Sequence, residues 1–142
     1  MSVRNLQHLF APASVALIGA SQRAGSVGAT VLRNLAGAGF KGAIYPVNPK
    51  YRVLAGLRCY AAVVDLPQAP ALALICTPPA TVPGNIKQLG ERGCRAAIIL
   101  SAGLSRLHDA SGRSLQQGAL DGRTCCACWD RIASACWCPP SA

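Results

Sequence analysis

Four short apolar runs recur along the chain with helical segments between some of them. The runs are SVALIG (14–19), GAIYPVN (42–48), ALALIC (71–76) and AAIILS (96–101). Continuous apolar runs of this length are typical of strands that are covered on both faces of a sheet. Pro46 and Pro49 are predicted to halt the second strand, and the segment Thr77-Pro78-Pro79 to stop the third.

The segment SVGATVLRNLAGAG (26–39) has the spacing of an amphipathic helix. Val27, Val31 and Leu35 recur at i, i+4 and i+8 and form its apolar side, with Arg33 and Asn34 on the other side. Ser26 is suited to cap the start of this helix, and Gly37 or Gly39 to end it.

A second helix is predicted between the third and fourth apolar runs. It lies in ATVPGNIKQLGERG (80–93), where Ile86 and Leu89 mark the buried side. Apolar strands joined by helices of this length indicate right-handed parallel crossovers. The predicted fold class is therefore α/β, with a Rossmann-like doubly wound parallel sheet.

Composition and charge narrow the class of ligand. The chain has 142 residues, about one domain, and carries a formal net charge of +9. Its basic residues are mostly single arginines spread from Arg4 to Arg131, without the basic runs and interleaved aromatics of nucleic-acid-binding proteins. This pattern argues against a nucleic-acid partner and favours a small polyanionic ligand.

The apolar runs are also far shorter than the roughly 20 residues that span a bilayer. The N-terminal segment MSVRNLQHLF has no apolar core of the signal-peptide type. These features predict a cytoplasmic protein without a membrane partner.

Doubly wound sheets bind ligands in the crevice beyond the carboxyl ends of their strands. The four loops expected there read GASQRAGSVG, PVNPK, CTPPA and SAGL. In the first loop Gly25 and Gly28 have no Cβ atom, and the amides near Ser26 open a helix N-terminus that attracts an anion. Lys50 adds a cation after the second strand.

The first loop differs from the common dinucleotide loop. Gly19, Gly25 and Gly28 are spaced Gly-x5-Gly-x2-Gly and not G-x-G-x-x-G. The second strand ends in Asn48-Pro49-Lys50, where an NAD enzyme places an acid for the ribose hydroxyls. An NADP site tolerates a lysine there, so an NADP-binding oxidoreductase domain stays an alternative. No Walker motif is present, because no Gly-Lys-Ser/Thr follows the loop.

The motifs VALIGAS, GSVG, NLAGAGFKGAIYPVNPK, DLPQAPALALICTPP and AAIILSAGL occur in one order over residues 5–105. In these motifs the chain resembles the CoA-binding domain of the nucleoside-diphosphate-forming acyl-CoA synthetases, related to the α subunit of succinyl-CoA synthetase. The resemblance implies coenzyme A as the ligand. It also implies that the first loop cradles the CoA phosphates, that Lys50 pairs with a phosphate, that Thr77 and Pro78 wall the groove, and that residues 101–103 lie along the pantetheine. The candidate binding residues are Gly19, Ser21, Gly25, Ser26, Val27, Gly28, Asn48, Lys50, Thr77, Pro78, Ser101, Ala102 and Gly103.

The resemblance further implies a longer parent enzyme with ligase and ATP-grasp segments, in some members with a fused N-acetyltransferase. In that family a later domain supplies a phosphohistidine, and neither His8 nor His108 lies in a matching motif. The five acids form no evident acid/base pair. We therefore assign no catalytic residue and expect the chain alone to be inactive; a regulatory domain that senses CoA is a further alternative.

The C-terminal segment TCCACWDRIASACWCPPSA (124–142) differs in composition from the rest, with five of the eight cysteines and both tryptophans. Its thiols stand as C-C-x-C and C-x-C around a short segment, unlike the two knuckles of a structural zinc site. We expect no metal here.

A change of reading frame accounts for this composition. Leucine codons read one base out become Cys-Cys and Cys-Trp, and the shifted frame permits Gly-Pro-Asn-Cys-x-Gly, which begins the fifth strand in the family. We therefore predict an incomplete, C-terminally truncated CoA-binding domain over residues 1–115, and a frameshifted tail without native fold over residues 116–142. Loss of a covering strand predicts marginal stability.

Overall fold

The computed structural model describes residues 6–121 and the two strand segments 127–128 and 134–137. The helices are α1 (Leu6–Phe10), α2 (Val27–Gly37), α3 (Val82–Glu91) and α4 (Leu115–Asp121). The strands are β1 (Ser14–Ile18), β2 (Ala43–Val47), β3 (Val53–Leu54), β4 (Leu57–Arg58), β5 (Leu72–Ile75), β6 (Ala96–Ile99), β7 (Ala127–Cys128) and β8 (Ser134–Trp137). Over these described ranges, no helix has the length and apolarity needed to cross a membrane.

The main sheet has the strand order β2-β1-β5-β6-β8-β7. The first four strands are parallel: Ile18 of β1 lies opposite Val47 of β2 and Ile75 of β5, which in turn lies opposite Ile99 of β6. From β1 the chain continues to β2 on one side of β1, and then crosses to β5 and β6 on the other side. The direction in which strands are added therefore reverses between β1 and β5. The predicted Rossmann-like α/β class is confirmed, and the topology places the switch point at β1.

Both faces of the parallel strands are covered. On one face, alternate residues such as Ile18 and Ile75 pack against Ile86 and Leu89 of α3 and against α4. On the other face, Leu17 packs with α2 and with the β3–β4 hairpin. Strand β1 buries all five of its residues, and β5 and β6 bury three of their four residues each, which explains why the sequence shows unbroken apolar runs there.

Pro46 does not stop the second strand, contrary to the prediction. It lies inside β2, opposite Leu17 of β1. Its carbonyl faces away from β1 and accepts a hydrogen bond from the Tyr60 amide, 2.9 Å away. The backbone nitrogen of Pro46 lies on that same outer side, so its missing N–H removes no hydrogen bond from the β1–β2 ladder.

The packed side of α2 is rotated from the predicted Val27-Val31-Leu35 side. Gly28 and Leu32 are its buried residues, while Val31 and Leu35 are half-buried and Val27 is 51% exposed. The absence of a side chain at Gly28 lets the helix start approach the sheet closely, and this approach turns Val27 toward solvent. The predicted Ser26 cap and the helix end at Gly37 are confirmed.

The C-terminal region contains described elements and residues outside the described part. Helix α4 packs on α3, and β8 pairs antiparallel with β6, with Ala96 opposite Trp137. Most residues of the C-terminal tail (116–142) lie outside the described ones. Three predictions concern this tail: a change of reading frame, the absence of a native fold and the absence of a metal site. These three points stay predictions.

Candidate functional site

The loops after β1 and β2 are joined by the Asn48 side chain. Its Nδ2 atom donates a hydrogen bond to the Ala20 carbonyl at 2.8 Å, and its Oδ1 atom accepts one from the Lys50 amide at 2.9 Å. One amide group therefore fixes the relative position of the first loop and the backbone of Lys50. A role in bracing the loops was not part of the sequence prediction for Asn48.

The loops after β1 and β5 are in close contact at Gly19. Gly19 has φ +88°, and a Cβ atom on it would lie 3.0 Å from the Cys76 carbonyl carbon and 3.1 Å from the Thr77 methyl carbon. Glycine is required here both by the backbone conformation and by the space available. Gly19 thus serves the packing of two loops.

The loops after β5 and β6 are joined at Thr77. The Ser101 hydroxyl donates a hydrogen bond to the Thr77 carbonyl, and Asn85 of α3 donates one from Nδ2 to Thr77 Oγ1 at 3.2 Å. Asn85 is a member of this edge that the sequence reading missed, since a polar residue on a helix gives no sign of which loop it meets. Together these contacts join the four predicted loops into one edge of the sheet.

The start of α2 has the geometry of an anion-binding helix end. Gly25 has φ +79° and open space around it, and the following Ser26 is the N-cap. The Ser26 hydroxyl accepts a hydrogen bond from the Ala29 amide at 3.2 Å and donates one to the Arg23 carbonyl at 2.8 Å. The hydroxyl is thereby used within the loop, and the first helical amides, which have no intrahelical acceptor, are the groups suited to bind an anion.

The charge of this edge is positive. None of the four loops contains an Asp or Glu, whereas Arg23 and Lys50 are both present and exposed. The Ser21 hydroxyl accepts a hydrogen bond from the Arg23 amide at 3.0 Å, which shapes the turn that carries Arg23. The positive end of the α2 dipole adds to these cations, so the edge favours a ligand with several negative charges.

Cys76 lies beneath Gly19 at the end of β5. Burial raises the pKa of its thiol to about 11, so the thiol is neutral at physiological pH. A neutral thiol is a poor nucleophile. Cys76 is therefore a packing residue of this edge.

The remaining predicted residues lie at the rim of the same edge. Pro78, Ala102 and Gly103 are exposed, and Gly103 has φ +87°. Their exposure leaves the side of the edge near β5 and β6 open to a ligand.

Comparison with known proteins identifies the family to which this chain belongs. The profile of a family described as "CoA binding domain" matches residues 13–127. Among curated relatives, a trans-feruloyl-CoA synthase from an unknown prokaryotic organism is 46% identical over 104 residues, which are 73% of this chain and 15% of the relative. An ADP-forming acetate–CoA ligase of Methanocaldococcus jannaschii is 40% identical over 102 residues, 72% of this chain and 14% of the relative.

Among solved structures, a dinucleotide-forming acetyl-coenzyme A synthetase of Ca. Korarchaeum cryptofilum, in complex with phosphate and ADP, gives a TM-score of 0.74. It is 34% identical, and the match covers 82% of this chain and 25% of that one.

The chain belongs to the CoA-binding domain family, and the ligand of this family is coenzyme A. Its relatives include ADP-forming acetate–CoA ligases. The chain spans about 15% of the length of the curated relatives just named. The family match favours coenzyme A over the NADP alternative. A fused acetyltransferase stays a prediction.

Proposed function

We propose that this chain binds the phosphates of coenzyme A at the loop after β1 and acts as the CoA-binding domain of an ADP-forming acyl-CoA synthetase. The observation that carries the proposal is the joining of four acid-free loops at the switch point, beside a capped helix start and the Lys50 cation. The pyrophosphate would lie over the amides near Val27 and Gly28, with Lys50 pairing to one phosphate.

The other predicted residues are proposed to serve different parts of the ligand. Thr77 and Pro78 would wall the groove, and the turn at Ser101, Ala102 and Gly103 would follow the pantetheine arm. Gly19, Ser21 and Asn48, which are also predicted to bind CoA, would hold the loops in the shape that surrounds the phosphates, through the close packing of Gly19 and the hydrogen bonds of Ser21 and Asn48.

The proposal covers a binding step and not a complete reaction. The matched region is a small part of the relatives' length, and we assign no residue of this chain to acyl or phosphoryl transfer. In a synthetase, the bound CoA thiol would be presented to an acyl group that ligase and ATP-grasp segments activate. These segments are the proposed partners.

Calorimetric titration of CoA into the 142-residue chain tests the proposal. Lys50→Gln should weaken CoA binding about tenfold, the loss expected for one charge-assisted contact to phosphate. Lys41→Gln is the matched control: Lys41 is also exposed but lies before β2, at the opposite end of the sheet. Absence of CoA binding by the unmodified chain, or tight NADPH binding with no response to CoA, would overturn the proposal.

A further inference from the structure

Thr77 is held through its carbonyl and through its side chain by residues of two other elements. Its carbonyl accepts a hydrogen bond from the Ser101 hydroxyl, in the loop after β6. Its side-chain oxygen Oγ1 accepts one from Nδ2 of Asn85 on α3, 3.2 Å away. Thr77 itself lies two residues beyond β5. This one residue therefore joins a strand end, a helix and the neighbouring loop.

The hydrogen bond from Asn85 fixes the direction of the Thr77 side chain. While Oγ1 faces Asn85, the methyl carbon Cγ2 faces the first loop, since a Cβ atom built on Gly19 would lie 3.1 Å from it. Threonine is branched at Cβ, so its hydroxyl and its methyl turn together about one bond. Loss of the Asn85 donor would release both groups and would allow the hydroxyl to take the place of the methyl beside Gly19.

The segment between Thr77 and α3 is attached to the core through the same hydrogen bond. The ring of Pro78 restricts the backbone, and the Pro78 carbonyl accepts a hydrogen bond from the Thr81 hydroxyl at 2.8 Å. Asn85 lies one helical turn beyond Thr81 and next to Ile86, which is buried in the core. The contact between Asn85 and Thr77 therefore ties the first residue of this stiff segment to a helix that the core anchors.

Asn85 reaches only one side of the proposed CoA site. The proposed phosphate contacts come from Lys50 and the start of α2, whereas Thr77 and Ser101 are proposed to lie beside the rest of the ligand. Helices α2 and α3 cover opposite faces of the sheet. A change at Asn85 therefore acts on Thr77 and leaves the start of α2 in place.

We propose that Asn85 is a positioning residue, which sets the affinity for coenzyme A by holding Thr77 in place at the wall of the groove. This inference rests on the proposed function. Asn85 acts through Thr77 and does not itself contact the ligand. Its loss should weaken binding of CoA but not of adenosine 3′,5′-bisphosphate, which lacks the pantetheine arm.

Calorimetric titration of both ligands into the 142-residue chain tests this role. Asn85→Ala should weaken CoA about fivefold, the loss expected for one hydrogen bond, and leave adenosine 3′,5′-bisphosphate unchanged. The variant should fold, because alanine is a strong helix former. Gln88→Ala is the matched control and should leave both affinities unchanged. Gln88 is also half-buried on α3, and within the described ranges its side chain has no hydrogen-bond partner.

A double-mutant cycle with Thr77→Val shows whether Asn85 acts through Thr77. Valine removes the hydroxyl and keeps the branched shape, so Asn85→Ala in this background should weaken CoA by less than about twofold. A full loss in this background, equal weakening of both ligands by Asn85→Ala, or no effect of Asn85→Ala on CoA would overturn the role of Asn85, while CoA binding would stand. Failure of the unmodified chain to bind either ligand would instead overturn the proposed function.

Discussion

Gly28, in the first turn of α2, packs directly against the carbonyl oxygen of Gly19 at the end of β1. A Cβ atom at Gly28 would overlap that oxygen. The obstacle is backbone, which cannot rotate away as a side chain could. Gly28→Ala should therefore push the helix start away from the sheet and cost about 3 kcal/mol or more in the free energy of unfolding, measured by urea denaturation.

Gly84→Ala provides the matched control. Gly84 lies within α3, and a Cβ atom there would meet nothing within 4 Å. The same substitution should raise the free energy of unfolding by about 0.5–1 kcal/mol, because alanine is the better helix former. Equal effects of the two substitutions would contradict the packing role of Gly28.

Asn48 should couple the stability of the loop edge to ligand binding. Asn48→Ala removes the hydrogen bonds to the Ala20 carbonyl and from the Lys50 amide. We expect a loss of about 1–2 kcal/mol in the free energy of unfolding and a weaker affinity for CoA, both measured on the same preparation.

Asn34→Ala is the control for Asn48, since Asn34 is exposed on α2. That substitution should change stability by no more than about 0.5 kcal/mol and leave CoA affinity unchanged. If Asn48→Ala also leaves the affinity unchanged, the loops keep their positions without this side chain.

Ala55 occupies a backbone conformation that favours another residue. It has φ 50°, and with Gly56 (φ 77°) it forms the two-residue turn between β3 and β4. Turns with two left-handed residues prefer Asn-Gly. Ala55→Asn should therefore increase the free energy of unfolding by about 0.5–1 kcal/mol, and this gain should raise the midpoint of thermal unfolding.

The comparison variant for Ala55 is Ala61→Asn. Ala61 is exposed, and its φ is not positive. We expect no gain in the midpoint of thermal unfolding there. A rise of similar size in both variants would attribute the effect to surface polarity and not to the turn.

Cys94 should make stability depend on alkaline pH. Burial raises the pKa of its thiol from 9.0 to about 12. The unfolded chain then loses this proton first, so the free energy of unfolding is unaffected below about pH 8 and falls as the pH rises from 9 toward 12. The loss between pH 8.5 and 10.5 should be on the order of 1–2 kcal/mol.

Cys94→Ala isolates this contribution from those of lysines, tyrosines and other thiols. Urea denaturation at the two pH values should give a smaller decrease for the variant than for the unmodified chain. The same decrease in both proteins would show that Cys94 is not the group responsible.

Much of the parallel sheet was accessible from the sequence, because strands buried on both faces leave runs such as SVALIG and ALALIC. The capped start of α2 could also be predicted from the sequence, since the Ser26 hydroxyl accepts a hydrogen bond from the amide of Ala29, only three residues away. The β3–β4 hairpin was not predicted: its strands have two residues each, and its turn is Ala-Gly and not the usual Asn-Gly. The position of Pro46 inside β2 depended on which side of the strand faced β1.

The sequence by itself determined which strands and helices follow one another along the chain, the composition of the four loops and the excess of positive charge, because these follow from local patterns and residue type. Only the tertiary structure decided that Asn48 braces Ala20, that Gly28 meets Gly19, and that Arg33 and Ala55 line one groove. Each of these pairs joins different elements of the fold. Such a contact depends on how strands and helices pack in space, and the periodicity of residues along the chain does not predict it.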